Sequence, residues 1–283
     1  MRNDIGLNLH SIILTPTLQK HDKVKVAIYK QIWKYLSNDY AIIYVAEPDP
    51  PRVIQQMSRV ASDLAVADGK EIEDYITSRA LLVINRNEFY SPHNTTEQEI
   101  HKLTSSLHSL VLEVQKRSKS KGIVAIGDPL VLCETGERRQ TRLTQYESAL
   151  GREFAEPLQA ICWYNDPEVV AKMSFSDLVN LINAHHSTIH SGWIYREWTP
   201  YDVITQVKGG MERLLGKGTT NLVLKTLKLV YKIDPEKAIT YMPELFEEKL
   251  SKIMGDSVAK LLFEVLSDTL RKEVSFNRIA QLH

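Results

Sequence analysis

Two kinds of apolar pattern alternate through the first part of the chain. One is the short unbroken run: Leu9–Leu14 (LHSIIL), Tyr40–Ala46 (YAIIYVA), Leu81–Ile84, Ile123–Ile126 and Leu158–Tyr164 (LQAICWY). Runs of this length without polar alternation suit strands covered on both faces, as in a parallel sheet. The other is helical spacing. Val24, Ile28, Ile32 and Leu36 recur every four positions, with Ala27 and Tyr35 widening the stripe. Further helices are expected from Arg52 to Ala65, behind Pro48, Pro50 and Pro51; from a capping box at Thr96-x-x-Glu99 to about Lys116; from Arg138 to Phe154; and from Ser176 to Ala184. A short strand is expected at Thr188–Tyr195. Strands alternating with helices predict right-handed crossovers and an α/β fold: a mostly parallel sheet of five or six strands flanked by helices.

The pattern changes at Thr199-Pro200, beyond which only helices with clear punctuation are expected. Thr199 and Pro200 open the first, which closes before Gly216-Lys-Gly218; Thr219–Lys232 forms the second; Asp234-Pro235 opens a third, Pro243 a fourth, ended by Gly255. Asp256 opens the last, with Val258, Leu261, Leu262, Val265, Leu266 and Leu270 as its apolar stripe. The expected division is therefore an α/β domain over residues 1–198 and a small all-α domain over 199–283.

Composition adds mainly exclusions. The 283 residues contain 35 Lys+Arg and 35 Asp+Glu, so no overall field draws the chain to nucleic acid or an anionic membrane. Residues 201–283 carry 13 basic and 11 acidic side chains, a net of +2 with no concentrated basic helix, so DNA binding through the tail is not expected on charge. Cys133 and Cys162 are too few for a disulfide framework and sit in apolar runs, which reads as buried thiols. With neither an apolar leader nor a membrane-length run, a cytoplasmic protein is expected.

Chemistry is sparse by motif. Gly216-Lys-Gly-Thr219 lacks the spacing of a phosphate loop and follows a helix, so it reads as a helix turn, and no nucleophile elbow of the form Gly-x-Ser-x-Gly occurs. His185, His186 and His190 cluster, but no acid or cysteine joins them at a usual ligand spacing, so no metal set is expected. Asp128 follows the strand ending at Ile126 and Asp166 follows the one ending at Tyr164. Either carboxylate can orient a ligand at the carboxyl edge of a parallel sheet, or simply cap the turn that Pro129 or Pro167 begins. Trp163 and Tyr164 suit a pocket wall or the core.

The order Tyr146-Glu-Ser-Ala-Leu150, then Ile161-Cys-Trp-Tyr164-Asn-Asp166, then His185-His186 with Ile189 and Gly192, resembles the MEDS sensory domains associated with methanogens, methylotrophs and a dichloromethane-responsive repressor. An early His followed by a Tyr is matched by His21 and Tyr29, and an aspartate after an Ile/Val-rich strand by Asp128. The resemblance spans roughly Leu9 to Trp198. It implies a RecA/KaiC-like fold without a phosphate loop, a role in sensing small hydrocarbon derivatives, and a ligand set drawn from His21, Tyr29, Asp128, Tyr146, Glu147, Tyr164, Asp166 and His186. Leu214-Leu-Gly-Lys217, Ile233-Asp-Pro235, Phe246, Leu250 and Gly255-Asp256 make the tail similar to an archaeal output domain of the NitrOD type.

Together these readings predict a non-enzymatic signalling protein with no cofactor. Its expected partners are a small-molecule ligand, a protein target and a second copy of itself. The alternatives are a protein-interaction scaffold on a degenerate ATPase-like fold, and a transcriptional regulator contacting DNA through its tail.

Overall fold

The computed structural model describes residues 9–15, 17–64, 70–90, 97–133, 139–151 and 157–276. The chain begins with β1 (Leu9–Leu14), α1 (His21–Leu36), β2 (Ala41–Val45), α2 (Pro50–Leu64), α3 (Ile72–Thr77), β3 (Leu81–Val83), α4 (Arg86–Tyr90) and α5 (Glu97–Ser118). Next come β4 (Ile123–Gly127), a 3-10 turn (Pro129–Cys133), α6 (Arg139–Leu150), β5 (Leu158–Tyr164), α7 (Pro167–Ala171), α8 (Phe175–Ala184), β6 (Ser187–His190) and β7 (Ile194–Glu197). Five helices end it: α9 (Pro200–Leu215), α10 (Lys217–Leu229), α11 (Pro235–Tyr241), α12 (Pro243–Met254) and α13 (Asp256–Val274). The expected Thr96 cap, Arg138 and Phe154 fall outside the described residues.

The strands form one seven-stranded sheet in the order β3-β2-β4-β5-β1-β6-β7, parallel except for β7. Its middle strands are buried along their length, in keeping with their unbroken apolar runs. Alternation still decides which helices each residue meets. Ile13, Ile161 and Trp163 pack with Ile28, Tyr29 and Ile32 of α1. Ile12, Leu14, Cys162 and Tyr164 face the opposite layer, with Leu143 of α6 and Leu178 and Ile182 of α8.

The single short strand expected at Thr188–Tyr195 is instead an antiparallel hairpin, β6 with β7, in register from Ser187↔Glu197 to His190↔Ile194. Gly192 and Trp193 turn it with φ of 76° and 59°. Glycine takes the left-handed region without penalty, but tryptophan there carries no sequence signal for a turn, so the run reads as continuous. The short helices α3, α4 and α7 are too brief to show a helical apolar period.

The tail follows its punctuation. The Thr199 hydroxyl accepts from the Asp202 amide in a full capping box, and Asp234 caps α11 through the Glu236 and Lys237 amides. The last helix buries Leu262, Leu266 and Leu270 of its stripe and leaves Val258 and Leu261 exposed. The tail packs on α8 and continues one apolar cluster that also takes in β1 and β5. The Phe175 ring lies 5.2 Å from that of Phe263 and 6.0 Å from that of Phe246. After α13 the Phe276 amide donates to the Leu14 carbonyl at 3.1 Å, tying the chain back to β1. No helix among the described residues is long and apolar enough to cross a membrane.

Candidate functional site

His10, Cys162 and Tyr164 share the face of the sheet that carries Ile12 and Leu14, among mainly apolar neighbours. His10 comes from β1, and Cys162 and Tyr164 from the neighbouring β5, where His10 is paired with Ala160 and Ile12 with Cys162. Glu147 of α6 descends onto them, and His185, the residue that caps the C-terminus of α8, closes the group from the side. All five are buried, and His10 and Glu147 are 0% exposed.

Glu147 is the hub. Its Oε2 lies 3.1 Å from His10 Nε2, 3.4 Å from His185 Nε2 and 3.6 Å from the Cys162 sulfur, and His10 Nε2 is 3.2 Å from that sulfur. Its other oxygen accepts a short hydrogen bond from the Tyr164 hydroxyl. The second imidazole nitrogens are fixed by the backbone: His10 Nδ1 sits 3.2 Å from the Ala184 carbonyl and His185 Nδ1 2.7 Å from that of Leu181. A carbonyl only accepts, so each Nδ1 carries a proton and each Nε2 faces the carboxylate. The two rings lie 4.0 Å apart.

Burial opposes the Glu147 charge, but His185 and His10 beside it, with the Tyr164 hydrogen bond, hold its carboxyl below the usual range. Burial, and then the adjacent Glu147 carboxylate, push the Cys162 thiol well above its ordinary value. As these side chains stand, the site pairs a buried carboxylate with two imidazoles and a protonated thiol. Such a group is costly to bury unless it is mutually satisfied, and costly to disturb once it is.

A cavity of about 20 Å³, enough for a water molecule, lies against Cys162 and is lined by Tyr146, Tyr90 and Gly127 among others. The Tyr146 and Tyr90 rings meet edge to face at 5.8 Å, and burial first, then neighbouring charge, keeps both phenols well above their ordinary values. A side chain on Gly127 would collide with the Tyr90 hydroxyl, so the glycine is what lets Tyr90 approach.

Of the residues expected at the site, Glu147 and Tyr164 lie in this cluster and Tyr146 lines the cavity beside it. Asp128 is buried, but Arg86 holds it at 2.6 Å and its other oxygen accepts from the Leu130 amide at 3.1 Å, which is the turn-capping role. Asp166 caps α7 through the Glu168 and Val169 amides. Tyr29 and His21 belong to α1, across the sheet: Tyr29 donates to Glu47 at 2.6 Å, and the His21 ring stacks on Trp163 at 5.4 Å. His186 contributes its backbone, donating to the His10 carbonyl at 2.7 Å, whereas it is the ring of His185 that enters the cluster. Linear spacing hid His10, Cys162 and His185, which a crossover and a strand pairing bring together. The available signal was a histidine and a cysteine at same-face positions of two mainly apolar runs.

A model of the MEDS family, the MEthanogen/methylotroph, DcmR Sensory domain, matches residues 19–186. No curated protein matches the chain. Among solved structures it is similar to an ATP synthase subunit, NeqB, from Nanoarcheaum equitans, with a TM-score of 0.35 and 12% identity over 94% of this chain and 74% of that one. That likeness is too distant to bear on function. The matched residues end at His186, leaving the helical tail outside, and they begin after β1, so His10 also lies beyond them.

Proposed function

The chain belongs to the MEDS family of sensory domains, and we propose that it acts as a non-enzymatic signalling protein whose sensing centre is the buried His10–Glu147–Cys162–His185 cluster. One observation carries this reading. Helix α8 supplies His185 to the cluster at its C-terminal end, and along its length it holds the tail. Glu247 of α12 accepts from the Ser176 amide and hydroxyl at 3.1 and 3.0 Å. Asn180 donates to Glu244 at 2.7 Å, and Asn183 to the Thr240 carbonyl at 2.7 Å. A ligand that favours one placement of His185 therefore biases the seat of the whole tail, which is the differential contact that coupling requires.

In this reading a simple hydrocarbon derivative is the chemical class proposed, and the water-sized cavity beside Cys162 widens to admit it. The tail serves as an output module of the NitrOD type. It presents Leu222, Leu229, Val230 and Tyr241 to solvent, where they are available to a protein target or a second copy. The test is a panel of small metabolites and hydrocarbon derivatives, read by melting temperature and by hydrogen exchange across α8 and α11–α13. A binder should raise the first and slow the second. Ligands that bind tightly yet leave exchange in α8 and the tail unaltered would overturn it.

A further inference from the structure

We propose that His10 Nε2, His185 Nε2, Glu147 Oε2 and Cys162 Sγ bind one divalent first-row transition metal ion, with zinc the best fit. The proposal rests on the sensing reading only for its consequence, because the geometry stands by itself. A tetrahedral zinc site with Zn–N and Zn–O of about 2.0–2.1 Å and Zn–S of about 2.3 Å has ligand-to-ligand edges of about 3.3–3.6 Å. The structure places the donor atoms at 3.1, 3.2, 3.4 and 3.6 Å along four edges, and all four atoms lie within 4.8 Å of one another.

The surroundings fit the same conclusion. Each imidazole gives its Nδ1 proton to a backbone carbonyl, Ala184 or Leu181, which fixes the tautomer that leaves Nε2 as the ligand. Tyr164 occupies Glu147 Oε1, so the carboxylate meets the centre through Oε2 alone. Two lone pairs, a carboxylate and a sulfur converge on one point, which a cation resolves. One thiolate and one carboxylate neutralise a divalent ion, so the buried site carries no net charge when filled. Imidazole with thiolate selects zinc, cobalt or iron over magnesium or calcium. Four protein ligands leave no open coordination position, which agrees with a sensing or structural ion rather than a catalytic one.

The experiment uses the full chain, purified in chelator and titrated separately with Zn²⁺ and Co²⁺. Elemental analysis after desalting should give one ion per chain, and the cobalt form should show intense tetrahedral d–d bands with a sulfur-to-cobalt charge-transfer band. Cys162→Ser should lose the charge-transfer band and keep visible d–d absorption. His185→Ala should weaken zinc binding by more than the roughly 10–100-fold typical of changes outside the ligand shell. His101→Ala, exposed on α5, serves as the control and should bind as the parent does. Far-UV circular dichroism establishes that each variant is folded. A folded chain that retains no ion, or one whose cobalt spectrum is unmoved by Cys162→Ser, overturns the proposal. An ion bound with this spectrum but without effect on exchange in α8 and the tail upholds the metal site and removes its sensing role instead.

Discussion

Tyr164 and Glu147 show how much one hydrogen bond governs here. The hydroxyl orients a carboxylate that two imidazoles and a thiol also face, with no solvent to take over if it is removed. Tyr164→Phe keeps the ring and loses the charge-assisted bond, so urea unfolding should show a loss of about 1.5–3 kcal/mol. Glu147→Ala removes the acceptor of both the Tyr164 hydroxyl and the Cys162 thiol and leaves a cavity, so it should cost more, about 3–5 kcal/mol by the same measurement. Equal and small effects would mean that the cluster is not mutually supported. Gly127→Ala tests the neighbouring wall. Its methyl group displaces the Tyr90 hydroxyl, with an expected loss of about 1–3 kcal/mol and altered near-ultraviolet dichroism from Tyr90.

Helix α8 is the element that connects the two regions. Its capping box at Ser174 and Asp177 fixes where it begins, and the His185 backbone, at φ −106° and ψ 147°, ends it so that the imidazole turns inward. Between those ends Phe175 packs on Phe246, so Phe246→Ala should cost about 3–5 kcal/mol and free the tail from α8 before the sheet unfolds. Differential exchange would see this as early opening of α11–α13. The same junction predicts a pH effect. Burial raises the Glu247 and Asp177 carboxyls above their ordinary values, against the hydrogen bonds from Ser176 and Ser174. A raised native value means that the folded state holds the proton more firmly than the unfolded chain. That contribution is fully present below the ordinary carboxylate value and is lost as pH rises through the raised one. Glu247→Gln removes the titration and keeps a polar partner for Ser176. Its melting midpoint should therefore exceed the parent's at neutral pH, with the gap closing below about pH 4, where the parent carboxyl is also protonated. A gap that does not vary with pH would contradict this account of the junction.

For the molecule as a whole, the architecture was largely legible in the sequence because it rests on local signals. Unbroken runs such as Leu158–Tyr164 mark strands covered on both faces, and Thr199, Asp234, Gly216 and Gly255 punctuate the tail. The hairpin at Gly192 was not legible, because Trp193 in the left-handed region leaves no compositional trace. The cluster was legible only in part. Glu147 and Tyr164 are reached through family resemblance, whereas His10 and Cys162 are 152 positions apart and meet only because β1 pairs with β5. His185 and its neighbour His186 cannot be told apart until the helix end is known. The central claim is that a disturbance in this cluster reaches the tail through α8. Residue-resolved hydrogen exchange of Tyr164→Phe against the parent, under native conditions, tests it most directly. Amides in α8 and in the facing helices α11–α13 should exchange faster, while α1–α3 across the sheet keep the parent rates. Faster exchange confined to β5 and α6, or spread evenly over the chain, would contradict it.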